Sequence, residues 1–131
     1  MTIEIDHMSL SFADFPAAKK FYAAALAPLG IGVIMEFPAK VTGNYDVAGL
    51  GPKGRPFFWI SNGGKTTPHM HLAFRAETRA QVDGFFKAAI AAGGKDNGGP
   101  GIRELYHPNY YGAFVLDPEG HNIEAVCHTP E

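Results

Sequence analysis

Apolar and polar positions alternate with a period of two over the first dozen residues. Ile3, Ile5, His7, Ser9 and Ser11 fall on one face, and Met8, Leu10 and Phe12 on the other. That period predicts a strand covered on one side. The period then lengthens. Asp14 is a candidate N-cap ahead of Pro16, and Phe21, Ala24, Ala25 and Leu26 recur at helical spacing. A second strand begins near His69 and runs to Phe74, with His69, His71 and Ala73 on one face. A second helix follows, capped by Thr78, with the stripe Val82, Phe85, Phe86, Ala89 and Ile90. Gly93 and Gly94 end it, since glycine accepts the left-handed conformation that closes a helix. After each helix, short apolar runs broken by Gly and Pro predict strands at 32–37, 45–49 and 56–60, then at 102–106, 111–116 and 123–127.

The two halves repeat one another. At the offset that lays His7 over His71, Leu10 lies over Phe74, Phe21 over Phe85, Tyr22 over Phe86, Leu26 over Ile90 and Gly30 over Gly94. Residue types coincide in order and in role, which is the mark of a duplicated unit. The expected fold class is therefore α+β: two βαβββ modules, about 1–64 and 65–131, forming a cupped mixed sheet around a central site. Halves this small are marginal alone, so they are expected to share a sheet or a core.

Composition narrows the classes. The chain has 131 residues, 46% hydrophobic and 18% charged, with a formal net charge of −2. These proportions suit a folded globular domain, and the charge offers no basic footprint for nucleic acid. No apolar run approaches the roughly 20 residues that span a bilayer. The N-terminal segment carries Glu4 and Asp6 where a secretory signal would be apolar, and the single cysteine, Cys127, has no internal partner. A cytoplasmic protein acting on a small molecule is expected. Cys127, beside Val126, reads as a small buried hydrophobe.

Candidate chemistry follows from the repeat. A lone strand histidine carries little weight, but His7 and His71 hold equivalent places in the two modules. Packing about a pseudo-twofold axis would bring them together, and two imidazoles in a cleft suit a divalent transition ion. The last strand adds Glu124, a carboxylate among Ile123, Ala125 and Val126 that is costly to bury unless paired or metal-bound. Two histidines and one carboxylate leave coordination positions open for substrate. The ion expected is Fe²⁺, Mn²⁺, Zn²⁺ or Ni²⁺. Around this site, His69 and Tyr111 are candidate proton-transfer groups. Ser9, Trp59, Arg103, Tyr106 and His107 are candidate substrate-binding residues. Arg103 has a fork that suits a carboxylate. His121, in the turn after Asp117-Pro118, is expected outside the site.

The segments Ile5-Asp6-His7-Met8-Ser9-Leu10, Ala18-Lys19-Lys20-Phe21-Tyr22, His71-Leu72-Ala73-Phe74 and Asp117-Pro118-Glu119-Gly120-His121-Asn122-Ile123-Glu124 resemble the vicinal oxygen chelate superfamily. That superfamily includes glyoxalase I, extradiol dioxygenases and the fosfomycin- and bleomycin-resistance proteins. The resemblance implies paired βαβββ modules, a cupped metal site with His7, His71 and Glu124 as ligands, and often a homodimer. Glyoxalase I has a fourth ligand, a glutamate or glutamine, on the last strand of its first module. Here that strand reads Pro56-Phe57-Phe58-Trp59-Ile60-Ser61, and neither Trp59 nor Ile60 binds metal or removes a proton. Isomerisation next to a carbonyl depends on a placed base, so the expectation shifts to chelation chemistry of lyase or dioxygenase type. A non-catalytic binding protein like the bleomycin-resistance relatives is the alternative, favoured by the apolar Trp59 region.

Overall fold

The helix starts are set by side chains that satisfy the free amides of a first turn. In the computed structural model, which describes residues 3–131, the Asp14 carboxylate accepts from the Ala17 amide and opens α1 (Phe15–Leu26). Thr78 and Gln81 form a reciprocal capping box that opens α3 (Arg79–Ala91). Both caps stand where the sequence predicts them. A short helix, α2 (Ala39–Thr42), follows the second strand. Among the described residues no helix is long and apolar enough to cross a membrane.

The strands form two sheets, one of four strands and one of five. The first holds β1 (Met8–Ser11), β2 (Gly32–Phe37), β3 (Val47–Gly51) and β4 (Phe58–Ser61) in the order β1-β4-β3-β2. The second holds β5 (His71–Arg75), β6 (Lys95–Asp96), β8 (Tyr111–Leu116) and β9 (Asn122–Cys127) in the order β5-β9-β8-β6, with β7 (Gly101–Ile102) beside β8. In each sheet the module's first strand runs parallel to its last and the remaining pairs are antiparallel. This is the α+β arrangement of paired βαβββ modules, and both sheets are mixed.

The modules share a core. Phe12, Phe21, Tyr22, Phe58 and Ile60 of the first pack into the same buried cluster as Phe74, Phe85, Val115 and Ile123 of the second. The Phe58 and Phe74 rings meet at 5.6 Å, at 72°. Each aromatic buried in this way stabilises the fold by about 1.5–3 kcal/mol. Cys127 is fully buried in the same cluster. Polar contacts also cross the boundary. The Tyr22 hydroxyl donates to Asp117, whose other oxygen accepts from the amides of Glu119 and His121 at 2.9 Å each. Burial, then the Asp117 charge, pushes the Tyr22 hydroxyl well above its usual range, so it remains a donor. The Glu119 carboxylate accepts from the Ala13 and Asp14 amides at 3.1 and 2.8 Å. The turn before β9 thus grips the start of α1.

Two strand expectations are corrected. Regular pairing begins at Met8, not Ile3; Ile3 and Ile5 are 90% and 76% exposed. Their alternation is real, but among the described residues they have no ladder partner. Of 102–106, only Ile102 pairs, with Tyr111. The rest is a turn in which the Tyr106 amide donates to the Arg103 carbonyl at 3.0 Å. Polar Arg103 and Glu104 suit that turn better than a strand.

Candidate functional site

Strand alternation divides each sheet into a core face and an open face. On β5 and β9, Leu72, Phe74, Ile123, Ala125 and Cys127 belong to the core. The alternate residues, His71, Ala73, Arg75, Glu124 and Val126, therefore share the other face. Parallel pairing sets Ala73 beside Glu124 and Arg75 beside Val126.

Glu124 is the unusual member, a carboxylate only 1% exposed. Burial without partners would be costly, and both oxygens have them. One lies 2.8 Å from His71 Nε2, and the other accepts from the Tyr110 hydroxyl. Burial first, and then the bond to Glu124, holds the Tyr110 hydroxyl well above its usual pKa, so it stays a donor. The phenol crosses Gly112. A Cβ there would lie 3.1 Å from Tyr110 Cε1 and 3.4 Å from Glu124 Oε2, so the glycine makes room for the contact.

This pair fits a divalent metal. Imidazole and carboxylate ligands stand about 2.0–2.2 Å from such an ion, which separates two adjacent ligands by about 3 Å. The 2.8 Å between His71 Nε2 and Glu124 Oε1 is a hydrogen bond that holds the two donor atoms close to that spacing. Tyr110 would then be the outer partner that orients a ligating carboxylate.

The open face of the first sheet is different. His7 lies just before β1, half-exposed, with Nδ1 2.6 Å from Asp6 Oδ1. It borders a cleft of about 300 Å³ with Ser9, Ser11, Tyr45, Trp59 and Ser61. Trp59 stacks on Phe37 at 6.4 Å and 15°. It lies so close over Gly49 that a Cβ there would come within 2.7 Å of the indole. β1 pairs Ser9 with Trp59 as β5 pairs Ala73 with Glu124. Trp59, not Ile60, is thus the counterpart of Glu124.

One chain brings His71 to Glu124 but does not bring His7 to them. Among the described residues no three His, Cys, Asp or Glu side chains are grouped to hold one ion. The expected convergence of the two histidines therefore does not occur within a single chain, because the modules meet through a shared core beneath their sheets rather than through their open faces. Other expected site residues are dispersed. The His69 ring packs against Gly120 and, at 5.9 Å, the buried His121 ring, rather than beside His71. Tyr111 turns the other way from Tyr110 and donates to Asp83 of α3 at 2.6 Å, a bond that raises its pKa. Arg103 lies over Phe114 at 5.4 Å and donates to the carbonyls of Gly99 and Gly101 at 2.7 and 2.9 Å. Its fork is already occupied. Tyr106 packs against Tyr110 with the ring centres 4.7 Å apart and the planes tilted by 51°, and His107 Nε2 lies 2.8 Å from His128 Nδ1. Tyr110, Arg75 and His128 were not singled out from the sequence. Arg75 was legible as the next position on the His71 face, but the choice between adjacent tyrosines needed the register.

The family model for the glyoxalase/bleomycin resistance protein/dioxygenase superfamily matches residues 4–125. The chain belongs to this superfamily. A glyoxalase/bleomycin resistance protein from Albidiferax ferrireducens is similar at 30% identity and a TM-score of 0.73, covering 95% of this chain and 97% of that one. A glyoxylase/bleomycin resistance protein/dioxygenase domain from Frankia sp. shares the fold at 17% identity and a TM-score of 0.71, covering 97% and 98%. Glyoxalase I from Zea mays shares it at 20% identity and a TM-score of 0.65, covering 93% of this chain and 43% of that one. No curated protein matches the sequence. Members of the superfamily typically use divalent metals, and the His71–Glu124 pair is chemically suited to one.

Proposed function

We propose that this protein is a metal-dependent enzyme of lyase or dioxygenase type that binds a small substrate through two oxygens. In this reading His71 and Glu124 of one copy, with His7 of a second copy, hold the ion. The buried Glu124 carboxylate carries it: a charge 1% exposed, with one oxygen held by a hydrogen bond close to ligand spacing from an imidazole, is arranged for a cation. A bound divalent ion would supply Lewis acidity to the chelating oxygens. The chain's own groups do the rest. Tyr110 orients Glu124, Phe114 packs 6.1 Å from the His71 ring, and Ala73 leaves the face beside Glu124 open.

A second copy is supported by the split of the candidate ligands between two open faces. It is also supported by a groove of about 180 Å³ lined by Ile5, Met8, Phe57, Leu72 and Phe74 along the edge strands β1 and β5. Unpaired strand edges with exposed apolar side chains are surfaces that proteins normally cover. Glyoxalase I isomerisation is not the reading favoured, because Trp59 stands where a fourth ligand would be.

The Trp59–Phe37 stack in the His7 cleft favours a second reading, a binding protein for a planar ligand without chemistry. Metal analysis of untagged protein, followed by melting with candidate ligands with and without EDTA, separates the two. Stoichiometric metal and ligand stabilisation lost to EDTA are expected. Stabilisation indifferent to the chelator would contradict the enzyme reading.

A further inference from the structure

Four residues past Glu124, just beyond the end of β9, stands His128, and its protonation pattern is imposed from outside. The Asn109 amide donates to His107 Nδ1 at 3.0 Å, so neutral His107 carries its proton on Nε2. That nitrogen is 2.8 Å from His128 Nδ1, which must accept. His128 therefore presents Nε2–H. Among the described residues that N–H has no acceptor. Burial, and next the Arg75 charge, lower the pKa of His128, which keeps the ring neutral.

Arg75 supplies the second donor. It occupies the open face of β5 beside Val126, one diagonal step from His128. Among the described residues its guanidinium has no ion pair or hydrogen bond, unlike Arg55, which is bonded to Glu4 at 3.2 Å, and Arg103, which is held by two carbonyls. A free planar fork and an imposed imidazole N–H at the end of β5 and β9 lack only an acceptor. Tyr110, edge-on to His128 at 5.3 Å, and Tyr106 wall the same end.

We infer that Arg75 and His128 Nε2–H form a receptor for an oxyanion, carboxylate or phosphate, carried by the substrate. Arg75 stands two residue steps from the level of Glu124 and His128 four, so the receptor lies about 7–13 Å along the strands from that carboxylate. The substrate class is thus a small acid with its chelating oxygens at the Glu124 end and an anionic group about that far away. Joining both groups in one substrate rests on the proposed function; the anion receptor itself does not require the metal.

The test is histidine side-chain ¹⁵N NMR on the full-length, EDTA-treated protein, with acetate and then inorganic phosphate as probes. His107 and His128 are expected as Nε2–H tautomers, with the His128 resonances moving on titration. Stronger response to acetate assigns a carboxylate arm, and to phosphate a phosphate arm. Arg75→Gln is expected to weaken binding about tenfold or more, with Arg75→Lys recovering part of it, as fits a charge-assisted bond. Arg55→Gln is expected to change nothing. A His128 Nδ1–H tautomer, or binding indifferent to Arg75→Gln, would overturn the receptor. Glu124→Gln protein that loses metal yet keeps the anion response upholds it, whereas protein that binds metal normally but ignores both anions refutes it alone.

Discussion

The two modules are built to one plan and finished for different tasks. In each, a first strand runs parallel to a last one, and a histidine marks the start of the first. Across that pair the first module sets Ser9 beside Trp59, and the second sets Ala73 beside Glu124. One open face is therefore floored by an indole lying on Gly49, and the other by a buried carboxylate engaged by His71 and Tyr110. Duplication supplies the frame; a single position on the last strand decides whether a module holds charge or a flat apolar surface. The modules also differ in how they bind each other. The turn before β9 reaches into the first module through Asp117 and Glu119.

Exchange at that decisive position should have the largest effect. Glu124→Gln is expected to lower metal affinity at least a hundredfold by isothermal titration, beyond the 10–100-fold typical of losing an outer partner. Trp59→Ala should leave affinity unchanged while removing the fluorescence of the chain's only tryptophan. Equal losses in the two variants would erase the distinction between the modules. Tyr110→Phe is expected to weaken metal binding about 10–100-fold with the fold intact, since it frees a carboxylate that the phenol orients. Circular dichroism alongside the titration checks both halves of that statement.

Smaller effects test the joint between modules. Tyr22→Phe leaves one Asp117 oxygen buried without its donor and should cost about 1–3 kcal/mol in urea unfolding, with metal affinity unchanged. Tyr111→Phe, one residue from the sensitive Tyr110, removes only the bond to Asp83. It should cost about 0.5–1 kcal/mol and leave metal binding alone. A metal defect in Tyr111→Phe would reverse the assignment of the adjacent tyrosines.

Much of this plan was legible in the chain. The offset of His7 and His71, the caps Asp14 and Thr78, and the strands at 32–37 and 111–116 all follow from local periodicity and capping chemistry, and local signals survive into the structure. What escaped depends on contacts distant in sequence. Ile3 and Ile5 alternate like a strand, yet whether they pair depends on what lies beside that edge. Whether Trp59 or Ile60 answers to Glu124 is a question of register, as is the choice of Tyr110 over Tyr111. The parity of a strand is not visible until its partner is known. Arg103 is the local exception: the carbonyls of Gly99 and Gly101 that occupy its fork are only four and two residues away, but a backbone carbonyl within reach leaves no mark on the residue pattern.

The central claim is that one copy's His71 and Glu124 complete a metal centre with the other copy's His7. Mixing is the direct test: His7→Ala chains and His71→Ala/Glu124→Gln chains are unfolded together, refolded and assayed for tightly bound metal. Each variant alone should bind almost none. The mixture should recover roughly a quarter of the wild-type sites, because a twofold mixed dimer keeps one intact face pair. A mixture that forms dimers yet binds no more metal than its components would contradict the account.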